Sequence, residues 1–89
     1  MIGEGAEVHG TVKDSVLSCG VRVAEGAEVH HSVIMPDVTV GRGARVYYAI
    51  VDSEAVIGEG AVIGDPLGAD ITVVGQGRRI EARKERELG

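Results

Sequence analysis

Aliphatic residues recur along the chain at steps of five or six, separated by polar or small residues, and the steps themselves repeat. Four segments align without gaps: Val23-Ala-Glu-Gly-Ala-Glu-Val29, Val40-Gly-Arg-Gly-Ala-Arg-Val46, Ile57-Gly-Glu-Gly-Ala-Val-Ile63 and Val74-Gly-Gln-Gly-Arg-Arg-Ile80. Each begins 17 residues after the one before. A fifth copy, Ile2-Gly-Glu-Gly-Ala-Glu-Val8, starts 21 residues before Val23, which reads as a first coil with four extra residues near His9–Ser15. Leu17, Ile34 and Val51 are also 17 apart, as are Val21, Val38, Ala55 and Thr72. Each unit therefore divides into a six, a five and a six, as in Val23–Glu28, Val29–Val33 and Ile34–Thr39. Self-similarity at a fixed period is the mark of a stacked-repeat architecture.

Within a six, the first position is aliphatic and the fifth is small or β-branched (Ala27, Val38, Ala44, Ala55, Ala61). This resembles the hexapeptide repeat. The resemblance implies an all-β, left-handed parallel β-helix of about four coils, a triangular prism that departs from the usual crossover handedness. Stacked corners one interstrand spacing apart would form ladders such as Val23-Val40-Ile57-Val74, in a prism roughly 20 Å tall. Gly26, Gly43, Gly60 and Gly77 fall where each coil bends, so positive φ is expected there. Arg78 takes a small residue's place in the last copy, and a lone charge does not enter an apolar interior. Gly68 stands where an aliphatic corner is due, so Asp65–Asp70 should loosen into a loop. The helix should then degrade after Thr72, leaving Val74–Ile80 as a last open strand with Arg78 and Arg79 guarding its edge. The division is a β-helix domain over 1–80 and an irregular charged tail over 81–89.

Composition agrees with this reading. Of 89 residues, 22 are Val or Ile, three are Leu and 14 are Gly, with two Tyr as the only aromatics. That balance disfavours a helical bundle. The net charge is −5: residues 1–77 sum to −7 and residues 78–89 to +2. An acidic body without a basic, aromatic-interleaved surface argues against nucleic-acid binding. Cys19 is the one cysteine, so no internal disulfide forms. No apolar run approaches a membrane span and no signal-like segment opens the chain, so the expectation is a cytoplasmic protein without membrane contact.

Candidate chemistry is sparse. Gly-x-Gly recurs at 3/5, 41/43, 58/60 and 75/77 without strand-to-helix context, which reads as turn geometry and not a phosphate cradle. His9 and His30 each follow an aliphatic corner, which would stack them in one column with Tyr47 next. His30 and His31 are adjacent, and in extended chain they would point to opposite sides, a poor arrangement for one metal ion. His9, His30, Tyr47, Tyr48 and Met35 are the candidate interface residues, since Tyr and Met favour contact surfaces. The alternative is a small trimeric hexapeptide-repeat acyltransferase or metal-dependent hydratase that uses His30 or His31 at an interface. Cys19 reads as a filler or turn residue.

With the repeats placed, two longer strings stand out. They are Ser32-Val-Ile-Met-Pro-Asp-Val-Thr-Val-Gly-Arg-Gly-Ala-Arg-Val46 and Ala49-Ile-Val-Asp-Ser-Glu-Ala-Val-Ile-Gly-Glu-Gly-Ala-Val-Ile-Gly64. Both resemble the carboxy-terminal β-helix of bacterial glucose-1-phosphate adenylyltransferases, as do the opening Ile2–Leu17 and Ile71-Thr-Val-Val74. The resemblance implies a parent enzyme that makes ADP-glucose from ATP and glucose 1-phosphate for glycogen synthesis, with Mg²⁺ held by a separate catalytic domain. For this stretch it implies no catalytic, cofactor or metal residue. The implied role is oligomerisation and allosteric regulation, with self-association or an amino-terminal nucleotidyltransferase domain as partner. A sugar-phosphate effector would approach Arg78, Arg79, Arg83 or Lys84.

Overall fold

The computed structural model describes residues 3–68 and 70–82. The chain winds through short strands in successive passes. These are β1 (Glu7–Val8), β2 (Thr11–Lys13) and β3 (Val16–Leu17), then β4 (Arg22–Val23), β5 (Glu28–His30) and β6 (Val33–Ile34). Next come β7 (Thr39–Val40), β8 (Arg45–Tyr47) and β9 (Ala49–Val51), followed by β10 (Val56–Ile57), β11 (Val62–Ile63) and β12 (Thr72–Val74). β13 (Arg79–Ile80) opens a further pass. Every third strand pairs in parallel, giving sheets ordered β1-β4-β7-β10-β13, β2-β5-β8-β11 and β3-β6-β9-β12. The described residues form a parallel β-solenoid without helices, so no helix is long and apolar enough to cross a membrane.

Hydrophobic alternation explains the winding. Inward positions form three aliphatic columns: Val8-Val23-Val40-Ile57-Ile80, Val12-Val29-Val46-Ile63 and Leu17-Ile34-Val51-Val74. Between them small residues line the bends, notably Ala27-Ala44-Ala61 and Val21-Val38-Ala55, all buried. One pass cannot cover its own inner face, but the next pass does. The bends need left-handed backbone. Gly26, Gly43 and Gly60 have φ of 78°, 67° and 72° at one, while Gly5, Gly20, Asp37, Glu54 and Gly77 supply positive φ at another. The tightest bend, after β2, β5 and β8, uses Asp14, His31 and Tyr48 at φ 46–51°.

Two register expectations are corrected. Val8 lies opposite Val23 and Val12 opposite Val29. From Val8 to Val12 is four steps, where Val23 to Val29 is six, so the first pass is two residues short and carries no insertion. The opening copy sits over Leu17–Val23, one side away from the segment it matches in sequence. At the other end, Val74 lies opposite Val51 and Ile80 opposite Ile57. Val74 therefore belongs to the Leu17-Ile34-Val51 column and not to the Val23-Val40-Ile57 ladder, and Thr72 lies opposite Ala49, not Ala55. Ile63 to Val74 is eleven steps, where Val46 to Val51 is five. The six extra residues are one whole hexad, extruded in the stretch between Ile63 and Thr72. The same six-residue motif serves every side of the prism, so sequence alignment alone cannot tell one side from the next. The loop expected at Asp65–Asp70 is there, but the helix does not degrade after Thr72: β12 and β13 resume the stack. Arg78, opposite Ala55 by register, stays exposed because no pass covers it.

Candidate functional site

The tightest bend gathers the imidazoles and phenols. The His30 ring stacks on Tyr47 with centroids 5.3 Å apart and planes 11° apart. His31 stacks on Tyr48 at 4.7 Å and 15°. Both pairs follow from the 17-residue register, which sets His30 opposite Tyr47 and its successor beside Tyr48. Because His31 is left-handed, the alternation expected of extended chain fails here. The two imidazoles flank a bend and do not lie on opposite faces of one strand. Each has a carboxylate neighbour: His30 Nε2 is 3.0 Å from Glu28 Oε1, and His31 Nδ1 is 3.9 Å from Asp14. The first is a hydrogen bond donated by the imidazole N–H, which places a proton on Nε2. That bond, aided by the nearby Arg45 and Lys13 charges and opposed by burial, holds the Glu28 carboxyl below its usual range.

The backbone beneath these rings is fixed by a serine relay. Ser32 Oγ donates to the His30 carbonyl at 2.8 Å and accepts the Ala49 N–H at 3.1 Å. One pass above, Ser15 Oγ accepts the Ser32 N–H at 3.0 Å and donates to the Lys13 carbonyl at 2.7 Å. On the far side of Tyr48 the extruded loop closes the column. A side chain at Gly68 would meet the Tyr48 ring at 2.9 Å, so only glycine fits.

The five expected interface residues divide among three bends. His30, Tyr47 and Tyr48 share the corner just described. His9 follows β1, is mostly exposed and lies 3.9 Å from Glu7. By register Lys13, not His9, stands over His30, a consequence of the two missing residues. Met35 follows β6 at the third bend, half-buried, its N–H donated to the Val51 carbonyl. Of the expected effector contacts, Arg78 and Arg79 are exposed on the final pass, and Arg79 already pairs with Glu81 at 2.9 Å. Arg83 and Lys84 lie outside the described residues. A cavity of about 450 Å³ opens among Gly60, Val62, Ile80 and Glu81. Its one charged wall among the described residues is a carboxylate, the wrong sign for a phosphate.

Glu28, Asp14 and the two serines were missed from sequence. The signal was present: Asp14, His31 and Tyr48 are 17 apart, as are Ser15 and Ser32. No group of three or more His, Cys, Asp or Glu suited to a metal occurs among the described residues. Cys19 is exposed in a turn.

With this geometry in hand, comparison with known proteins is informative. The family model of GlmU-like, C-terminal hexapeptide domains matches residues 1–77. A glucose-1-phosphate adenylyltransferase of Acetivibrio thermocellus is 46% identical over 37 residues, 42% of this chain and 9% of that enzyme. Among solved structures, a hexapeptide transferase family protein from Anaplasma phagocytophilum superposes with a TM-score of 0.63. The match covers 91% of this chain and 45% of that one, at 15% identity, a likeness of fold.

Proposed function

Because the chain belongs to the GlmU-like C-terminal hexapeptide family, we propose that it is the non-catalytic assembly and regulatory β-helix of a glucose-1-phosphate adenylyltransferase-like nucleotidyltransferase of the cytoplasm. The parent enzyme makes ADP-glucose for glycogen synthesis, with Mg²⁺ bound by a catalytic domain and no cofactor in this stretch. The observation that carries this reading is the 46% identity over 37 residues with such an enzyme. The physical case agrees: the inward side chains fill the prism completely, and what remains for function is its outer faces and ends. The test is direct. The chain is incubated with ATP, glucose 1-phosphate and Mg²⁺, and separately with acyl-CoA and amino-sugar acceptors; no turnover is expected in either. ADP-glucose or acyl transfer by the chain alone overturns the reading.

A second reading rests on one specific contact. The Glu28–His30 hydrogen bond orients an imidazole that is one-fifth exposed, the arrangement a general base requires. In an acyltransferase, His30→Ala would abolish turnover without loss of fold.

A further inference from the structure

The three outer faces of the prism differ in one respect. On the sheet β3-β6-β9-β12, the outward residues in register are Val16, Val33, Ile50 and Val73, each between 38% and 67% exposed. The corresponding column on β1-β4-β7-β10-β13 is Glu7, Arg22, Thr39, Val56 and Arg79. On β2-β5-β8-β11 it is Thr11, Glu28, Arg45 and Val62, flanked by Lys13, His30 and Tyr47. One face is thus a continuous uncharged ladder, and the other two carry charges of both signs. Sheet faces with apolar residues on both sides are normally covered.

We propose that this ladder binds the same ladder of a second copy, making a two-fold dimer through β3-β6-β9-β12. The inference rests on the assembly reading above and assigns that role to one surface. Three features select a second copy. The ridges of the ladder repeat at the interstrand spacing of about 4.8 Å, and a partner whose grooves keep that pitch over four rungs is another stack of the same kind. The β-branched side chains are stiff, so little rotamer freedom is lost when they are covered. The apolar surface is confined to a single side. A ring of three or more copies joins two different patches on each subunit, whereas one self-complementary patch closes at two. Four strands give a face about 20 Å tall, below the roughly 800 Å² that each partner buries in a standard interface, so the dimer is concentration-dependent. The bends beside the face are acidic, with Asp37, Asp52 and Glu54 on one flank and Asp14 and Asp65 on the other. Two copies therefore meet with like-charged rims, and salt tightens the dimer.

Sedimentation equilibrium of the 89-residue chain at low and high salt tests this, beside Ile50→Lys, Val16→Lys and the control Thr39→Lys on a charged face. The expected result is a dimer that tightens with salt, weakens at least tenfold in Ile50→Lys and Val16→Lys, and is unchanged in Thr39→Lys. Circular dichroism confirms that each variant is folded, and Val16, at the end of the ladder, serves where Ile50→Lys does not fold. A trimer, or a dimer that survives both lysines, overturns the assignment of this face and leaves the assembly reading standing. A chain that stays monomeric at millimolar concentration overturns the dimer and self-association together, while ADP-glucose synthesis by the chain would overturn only the non-catalytic reading.

Discussion

Replacing Ser32 with alanine isolates the relay that holds the imidazole corner. Ser32 is 3% exposed and its hydroxyl makes two hydrogen bonds. The two losses are unequal. The His30 carbonyl keeps the Tyr48 N–H, at 3.0 Å. The Ala49 N–H loses the hydroxyl it donates to, in a residue only 2% exposed. An orphaned buried donor costs about 1–3 kcal/mol, and removing one oxygen leaves too little room for a replacing water. We expect Ser32→Ala to lose about 2 kcal/mol, read from the urea midpoint at unchanged slope. For a domain of this size that lowers Tm by about 8–16 °C. The exposed Thr39→Ala, on another face, should stay within about 0.5 kcal/mol. A Ser32→Ala loss below about 0.5 kcal/mol, with Ala49 amide exchange unaltered, would refute the claim that this hydroxyl is the needed partner.

Three further outcomes follow from the same structure. Ile34→Ala, in the middle of the Leu17-Ile34-Val51-Val74 column and fully buried, should cost about 2–5 kcal/mol, while its half-exposed neighbour Val33→Ala loses far less; equal denaturation midpoints would contradict the inward–outward assignment. Glu54 holds φ at 63° where Gly5, Gly20 and Gly77 occupy the same bend, so Glu54→Gly should gain about 0.5–1 kcal/mol in urea denaturation by relieving left-handed strain. The Glu28 carboxyl is held below its ordinary value of 4.5, first by the His30 hydrogen bond. A depressed folded pKa contributes stability above the unfolded value, lost as pH falls through the folded one. A carboxyl-carbon NMR titration should therefore show His30→Ala raising the Glu28 midpoint.

Much of the fold was legible because aliphatic spacing and small fifth positions obey the same geometry on every side. That uniformity is also why the ends were misread. Val74-Gly-Gln-Gly-Arg-Arg-Ile80 matches Ile57–Ile63 in sequence but stacks beneath Val51–Ile57. A hexad fits any side, and only the backbone pairing tells which one it occupies. The imidazole corner was half legible. Tyr47 beside His30 follows from the 17-residue period, but His9 does not, because its pass is shortened. The bend at His31 was hidden, since left-handed backbone at a histidine or tyrosine leaves no glycine to mark it. The apolar outer ladder was hidden for another reason: Val16, Val33 and Ile50 look like core residues until register shows which way they face.

The extruded hexad between Ile63 and Thr72 offers a test of the register argument itself. Removing residues 66–71 takes out six residues and leaves Ile63-Gly64-Asp65-Thr72-Val73-Val74, five steps from Ile63 to Val74. Those are the five steps of Val46 to Val51. Asp65 then falls in the left-handed column of Asp14, His31 and Tyr48, which aspartate tolerates, and Thr72 stays opposite Ala49. Shortening a loop changes closure entropy by less than about 1 kcal/mol, and the loss of Gly68 against Tyr48 works in the other direction. The deletion should therefore fold with its stability within about 1 kcal/mol of the parent. Removing only residues 67–71 leaves one residue too many between the same two corners. That slip would turn Val74 outward and Val73 inward and disturb every contact of β12, at a cost of several kcal/mol unless the extra residue bulges. The two deletions differ by one residue and should differ sharply in urea midpoint and in amide protection of Ala49–Val51. Equal behaviour would mean that β12 is placed by something other than the alternation of its side chains, and the hexad account of the insertion would fall.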